Sequence, residues 1–183
     1  MATRNAQGER TRTRVLDAAM EVVEHRGGAA LSLNSVAEQA GVSKGTLLYH
    51  YPTKEALVDA VVEHYLRYFE DAVADHARRH PGDHAWLRAY VAVGTDARER
   101  HRSRALFTVL AVDPDAPTRM AERMTAWQER AQAHPAPGPA LLVKLAVDGL
   151  LLADVTNSAP PLDDLLAAID DVLACAGGSP PRG

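Results

Sequence analysis

Between Ser43 and His50 the chain places Ser43, Lys44, Gly45, Thr46, Tyr49 and His50, and Lys54 follows just after Pro52. These residue types suit a polyanion with readable edges. Lys44 and Lys54 supply ammonium charge, and Thr46 offers a hydroxyl to a base or phosphate, or a methyl to thymine. Gly45 has no Cβ to hold a groove wall or base edge away. Tyr49 and His50 are amphipathic enough to anchor on sugar and phosphate oxygens. Ser32 and Ser43, which precede two helical patterns, complete the candidate set. Tyr51 is expected to face back into a core. The competing reading is an ordinary helix pair with solvated lysines and tyrosines that cover apolar surface.

Other chemistries are less well supplied. His76, His80 and His84 invite a metal, and the first two are one helical turn apart. No acidic or cysteine ligand accompanies them with zinc-site spacing, and Pro81-Gly82 interrupts the face, so solvated histidines are expected and no metal. "RERHRSR", Arg98 to Arg104, reads as a solvated basic run. Ser, His and Asp are present without a nucleophile elbow, a phosphate loop or a paired-acid motif, so neither an enzyme nor a cofactor is expected.

The elements that must position these residues are helical throughout. The chain has 183 residues, 46% of them hydrophobic and 5% aromatic, enough for one ordinary domain or a core with a small module. No stretch sustains period-2 alternation. Val15, Leu16, Ala19, Met20 and Val23 share one face of a first helix that Gly27-Gly28 stops. Ser32 caps a second helix with Leu33, Val36, Ala37 and Ala40 inward and Gly41 as its left-handed exit. Ser43 caps a short third helix that Pro52 ends. Thr53 caps a long fourth, running to about His80, and further helices are expected near 84–100, 103–112, 115–133, 138–157 and 162–175. Residues 1–8 and 177–183 read as disordered tails.

Charge is unevenly spread: the chain carries −4 overall, with +2 up to Lys54 and −6 beyond it. A mildly basic head on an acidic body fits a polyanion at one end. The single Cys175 excludes an internal disulfide, the polar start lacks a signal-peptide core, and no apolar run reaches membrane-span length. These features predict a cytoplasmic protein with no membrane partner. "ALLVKLAVDGLLLADV" is apolar almost all round, and the last helix has one wide apolar face. That surplus predicts a homodimer through Leu145, Leu152, Leu165, Leu166, Ile169 and Leu173. Tyr65, Phe69, Trp86, Tyr90, Phe107, Met120, Met124, Trp127 and Asp148 are candidate walls of a small-molecule effector pocket, although a Met and aromatic stripe is equally compatible with plain core.

Two short helices joined by "AGVS" have the form of a helix-turn-helix, whose second helix enters the major groove of double-stranded DNA. With "RVLDAAMEVVEHRG", "LSLNSVAEQAGVSKGTLLYHYPTKEAL" and the long fourth helix, Arg12 to Val62 resembles the DNA-binding domain of the TetR family of bacterial transcriptional regulators. Leu48 stands where many members have tyrosine, and Tyr51 where phenylalanine is usual. The resemblance implies an all-α chain: a three-helix DNA-binding domain over 9–52 and a helical effector-binding and dimerisation domain over 53–176. It also implies a homodimer that binds a palindromic operator, usually as a repressor, and responds to a small molecule. An activator or a ligand-independent regulator of the same fold is the alternative, with an enzyme the third. The fourth helix, with Lys54 near its start and Tyr65 and Phe69 further along, is the expected route from effector to DNA.

Overall fold

A computed structural model describes residues 2–110 and 116–177. It contains α1 (Ala2–Arg26), a short 3-10 turn (Gly28–Ala30), α2 (Leu33–Ala40), α3 (Lys44–His50) and α4 (Lys54–Arg79). Then come α5 (Ala85–Thr95), α6 (Ala97–Leu110), α7 (Ala116–Gln132), α8 (Pro137–Thr156) and α9 (Leu162–Gly177). No strand occurs among the described residues, so the fold is all-α, as the periodicity predicts.

Three boundaries differ from the sequence reading. Residues 2–8, expected as a tail, belong to α1, because nothing between Ala2 and Arg26 stops a helix more strongly than the tolerated Gly8. The helix expected over 84–100 is two helices broken at Asp96, whose extended backbone leaves α5 and whose carboxylate caps α6 by accepting from Arg98 N–H at 3.0 Å and Glu99 N–H at 3.1 Å. "RERHRSR" therefore lies inside α6. Arg100 makes a two-pronged ion pair with Asp154, Arg102 pairs with Glu24 at 2.9 Å, and Ser103 is buried, while Arg98 and Arg104 stay exposed. At the other end α9 closes at Gly177, and the rest of the expected 177–183 tail lies outside the described residues.

The chain divides into two compact units drawn differently from the expected 9–52 and 53–176. The first comprises residues 1–67 and 101–120. Its core gathers Val15, Ala19, Val22, Val23, Leu31, Val36, Leu47, Leu57, Val61, Leu106 and Val109, all essentially inaccessible. The reason for the altered boundary is visible in its polar contacts: Tyr65 on α4 hydrogen-bonds Ser103 on α6, and the Arg102–Glu24 pair ties α6 to α1. Those contacts recruit the first half of α4 and most of α6 into the head.

The second unit comprises residues 68–100 and 121–183, in which α8 packs on both α5 and α9. Ala140, Val143, Val147 and Leu150 form the inward side of α8, with Leu87, Tyr90, Ile169 and Leu173 in the same core. Two charged groups among the described residues are buried here, Glu99 and Lys144; Lys144, 5% exposed, reaches Asp148 one turn along α8. The Tyr90 hydroxyl donates to the other carboxylate oxygen at 2.5 Å. Asp148 thus neutralises a lysine that has left water. Asp148→Ala should cost about 2–4 kcal/mol in urea unfolding, below the full cost of orphaning a buried charge because Asp148 keeps some solvent. Lys144→Met, which removes the charge and retains the length, should be close to neutral.

Candidate functional site

The local order around α3 begins with Gly41. Its φ of 62° and ψ of 37° are left-handed, and its N–H and that of Val42 return to the last carbonyls of α2, Val42 to Ala37 at 3.0 Å. The chain then reverses, and Ser43 caps α3 by accepting from Thr46 N–H at 3.0 Å. Ser32 caps α2 in a reciprocal box with Ser35, each side chain taking the other's backbone N–H at 3.1 Å. Thr53 caps α4 through Ala56 N–H, also at 3.1 Å. All four turn signals lie within 22 residues, from Ser32 to Thr53, so they fix two short helices and the start of a long one.

Burial then sorts the side chains of α3. Leu47 is inaccessible and Tyr51 4% exposed, whereas Tyr49 is 86% exposed. Lys44, Gly45 and Lys54 are exposed, Thr46 and His50 partly so, and the Tyr49 and His50 rings meet edge to face at 5.3 Å. The helix shows water an ammonium, a glycine, a hydroxyl and an edge-on aromatic pair. Gly45 is informative because a Cβ there would meet only Ser43 Oγ, at 3.8 Å. Nothing inside the chain needs the gap. Gly45 is the second residue of α3, and its missing Cβ leaves a bare backbone facing outward. Ser32 and Ser43 are held by their capping bonds, so their side chains reach outward only alongside that duty.

The second candidate site is a cleft in the second unit. Phe69, Glu70 and Val73 of α4, Trp86 and Tyr90 of α5, and Trp127 and Arg130 of α7 line a tight cleft, with about 210 Å³ of empty space counted together with the open solvent at its mouth. Phe69 and Trp127 stack at 5.1 Å, and Tyr90 stands edge-on to both. Four of the nine expected wall residues therefore come together. Tyr65, Phe107 and Met120 belong to the other unit, with Tyr65 buried against Ser103. Met124 is half-buried and outside the lining, and Asp148 acts one step back by holding the Tyr90 hydroxyl. Sequence reasoning missed Glu70, Val73 and Arg130. The spacings Phe69–Val73 and Trp127–Arg130 put each pair on one helix face and were the available signal.

The expected dimer residues divide in two. Leu145 and Leu152 are 63% and 56% exposed, joined by Leu142 at 61% and Val155 at 37%. Ile169 and Leu173, expected at the interface, are instead buried inside their own chain because that face of α9 packs on α8. Leu165 and Leu166 are half-buried. Among the histidines, His76 and His80 lie 4.5 Å apart ring to ring, and burial followed by the charges of His80 and Arg79 lowers the His76 pKa. His84 Nδ1 and His134 Nε2 share a 3.0 Å hydrogen bond. No group of three or more metal-type ligands converges among the described residues.

Comparison with known proteins places this geometry. Residues 15–61 match the family described as bacterial regulatory proteins, tetR family, and residues 84–174 match the tetracyclin repressor-like C-terminal domain. The chain belongs to the TetR family of bacterial regulators. It is 34% identical over 62 residues to the HTH-type transcriptional regulator UidR of Escherichia coli strain K12, a match covering 34% of this chain and 32% of UidR. It is 32% identical over 89 residues to BetI of Paraburkholderia phytofirmans, covering 48% and 46% respectively. These matches span between a third and a half of the curated relatives' lengths. A TetR family member from Streptomyces coelicolor shares the fold with a TM-score of 0.68 at 24% identity, covering 88% of this chain and 97% of that one. The multidrug binding protein EbrR does so with 0.66 at 24%, covering 88% and 96%. No helix among the described residues is long and apolar enough to cross a membrane.

Tyr51 offers a direct check on the head. Burial raises its pKa above the ordinary 10.0, and the nearby Arg12 guanidinium opposes the shift without completing a hydrogen bond of normal geometry to the buried hydroxyl. Because the folded value is raised, the stabilising contribution is present below pH 10.0 and is lost as pH rises through the folded value. The stability difference between wild type and Tyr51→Phe, measured by urea unfolding, should be flat from neutral pH to about 9 and shift against wild type above 10.

Proposed function

We propose that the protein is a ligand-responsive transcriptional regulator that binds a palindromic operator as a homodimer in the cytoplasm, most simply as a repressor. The observation that carries this reading is the exposed edge of α3, where Tyr49 stands in water beside a glycine that the fold does not require. Lys44 and Thr46 are the base-reading candidates. Tyr49, His50 and Lys54 hold phosphates, the last beside free N–H groups at the start of α4. Gel-shift on DNA flanking the protein's own gene tests it. Lys54→Ala should weaken operator and unrelated DNA alike and lower the salt slope by about one. Thr46→Ala should cost about 1–3 kcal/mol on the operator alone. Unchanged affinity and slope in folded Lys54→Ala would sink the assignment.

The cleft of Phe69, Trp86, Tyr90 and Trp127 is the proposed effector site. It is supported by EbrR, whose structures hold malachite green, imidazole and ethidium. The single helix α4 bears Lys54 at its start and Phe69, Glu70 and Val73 at the cleft, so a ligand that shifts it would alter the spacing of two recognition helices. Half-sites about 34–36 Å apart make that spacing decisive. Operator and ligand must then weaken each other by the same factor.

Dimerisation is assigned to the outward side of α8, where Leu142, Leu145, Leu152 and Val155 make an apolar stripe, with Leu165 and Leu166 of α9 beside it in the proposed interface. Leu145→Asp touches no core and should give folded monomers by sedimentation at micromolar concentration. A wild-type monomer under the same conditions would refute the interface.

A further inference from the structure

We propose that the aromatic cleft is a receptor for a flat organic cation, and that Arg130 is its internal occupant, which the ligand must displace. The inference rests on reading this cleft as the effector site. Four aromatic rings, Phe69, Trp86, Tyr90 and Trp127, wall it, and their neighbouring contacts fall between 5.1 and 5.8 Å. Ring faces carry the negative part of the aromatic quadrupole and attract weakly hydrated, delocalised cations. Among the described lining residues Glu70 brings the only carboxylate.

The structure already contains such a pairing. The Arg130 guanidinium carbon lies 5.2 Å from the centre of the Trp86 ring. A guanidinium is itself planar, delocalised and weakly hydrated, so it shows which charge the Trp86 face accepts. Arg130 is an exposed residue, three positions after Trp127 on α7, and its side chain can swing into water with its charge fully solvated. A flat cation entering beside Trp86 would take over the ring face and sit near Glu70, while Arg130 leaves. Arg130 then sets a threshold: the ligand gains only the difference between its own contacts and those it replaces.

An aromatic carboxylate is the opposite possibility, with Arg130 as its partner rather than its rival. Three probes of nearly one shape separate the cases: 1-methylquinolinium, neutral 1-methylnaphthalene and anionic 1-naphthoate. Each is titrated calorimetrically into the full-length protein without DNA, with quenching of Trp86 and Trp127 fluorescence as a second readout. The cation should bind about tenfold more tightly than the neutral probe. Arg130→Ala should tighten the cation about three- to tenfold, Glu70→Gln should weaken it, and Arg130→Lys should fall between wild type and Arg130→Ala, because a strongly hydrated ammonium competes less well for the ring face. Equal binding of cation and neutral probe, or a weaker cation in Arg130→Ala, overturns the charge preference while leaving the cleft as the effector site. Tightest binding by 1-naphthoate, lost in Arg130→Ala, overturns it in favour of an anion. No binding by any probe, with DNA binding intact, removes both the inference and the effector assignment of the cleft, and leaves the DNA-binding reading standing.

Discussion

A helix of seven residues does not hold itself together in water. Nucleation is costly, and isolated helices shorter than about 12–15 residues are marginal. The stability of α3 therefore comes from outside it, through the Ser43 cap at one end and the burial of Leu47 and Tyr51 on one side. Every outward-facing feature depends on that anchoring. Because the inward positions are fixed, Tyr49 has nowhere to go but solvent, and Gly45 and Thr46, one turn back, share its side, with Lys44 exposed at the start of the helix. The exposed surface of α3 is the remainder left after the core has taken what it needs.

The second unit solves a different problem. Its aromatic residues pack against each other in stacked and edge-on arrangements, and a polar chain from Lys144 through Asp148 to the Tyr90 hydroxyl stiffens one wall from behind. A ring fixed by a charge-assisted hydrogen bond is a poor candidate for movement. Trp86 and Trp127, each half-exposed, are freer to adjust. The cleft thus combines one rigid wall with adjustable ones.

The half-buried arginines of α6 are paired. Arg100 grips Asp154 with two nitrogens, and that hydrogen bond raises the arginine pKa further. Arg102 pairs with Glu24 through its Nε at 2.9 Å. A run of arginines that reads as a solvated patch is therefore half structural. The two middle arginines, Arg100 and Arg102, turn toward acidic partners, while Arg98 and Arg104 remain outside.

By itself the sequence determined what local chemistry controls. Gly41 and the caps Ser32, Ser43 and Thr53 are readable because each acts on backbone groups within four or five residues. The inward and outward division of α3 followed from period and from the cost of burying lysine. The ordered residue types of this head also carried the family resemblance. Tertiary structure alone decided what depends on partners far along the chain. It buried Ile169 and Leu173 against α8 and left Leu142 and Val155 outside, a choice that an all-apolar helix cannot announce. It sent Tyr65 to Ser103, added Arg130 and Glu70 to the cleft, and broke the helix at Asp96. Periodicity shows that a face is apolar. Which neighbour covers that face is fixed only when all the helices compete for the same buried surface.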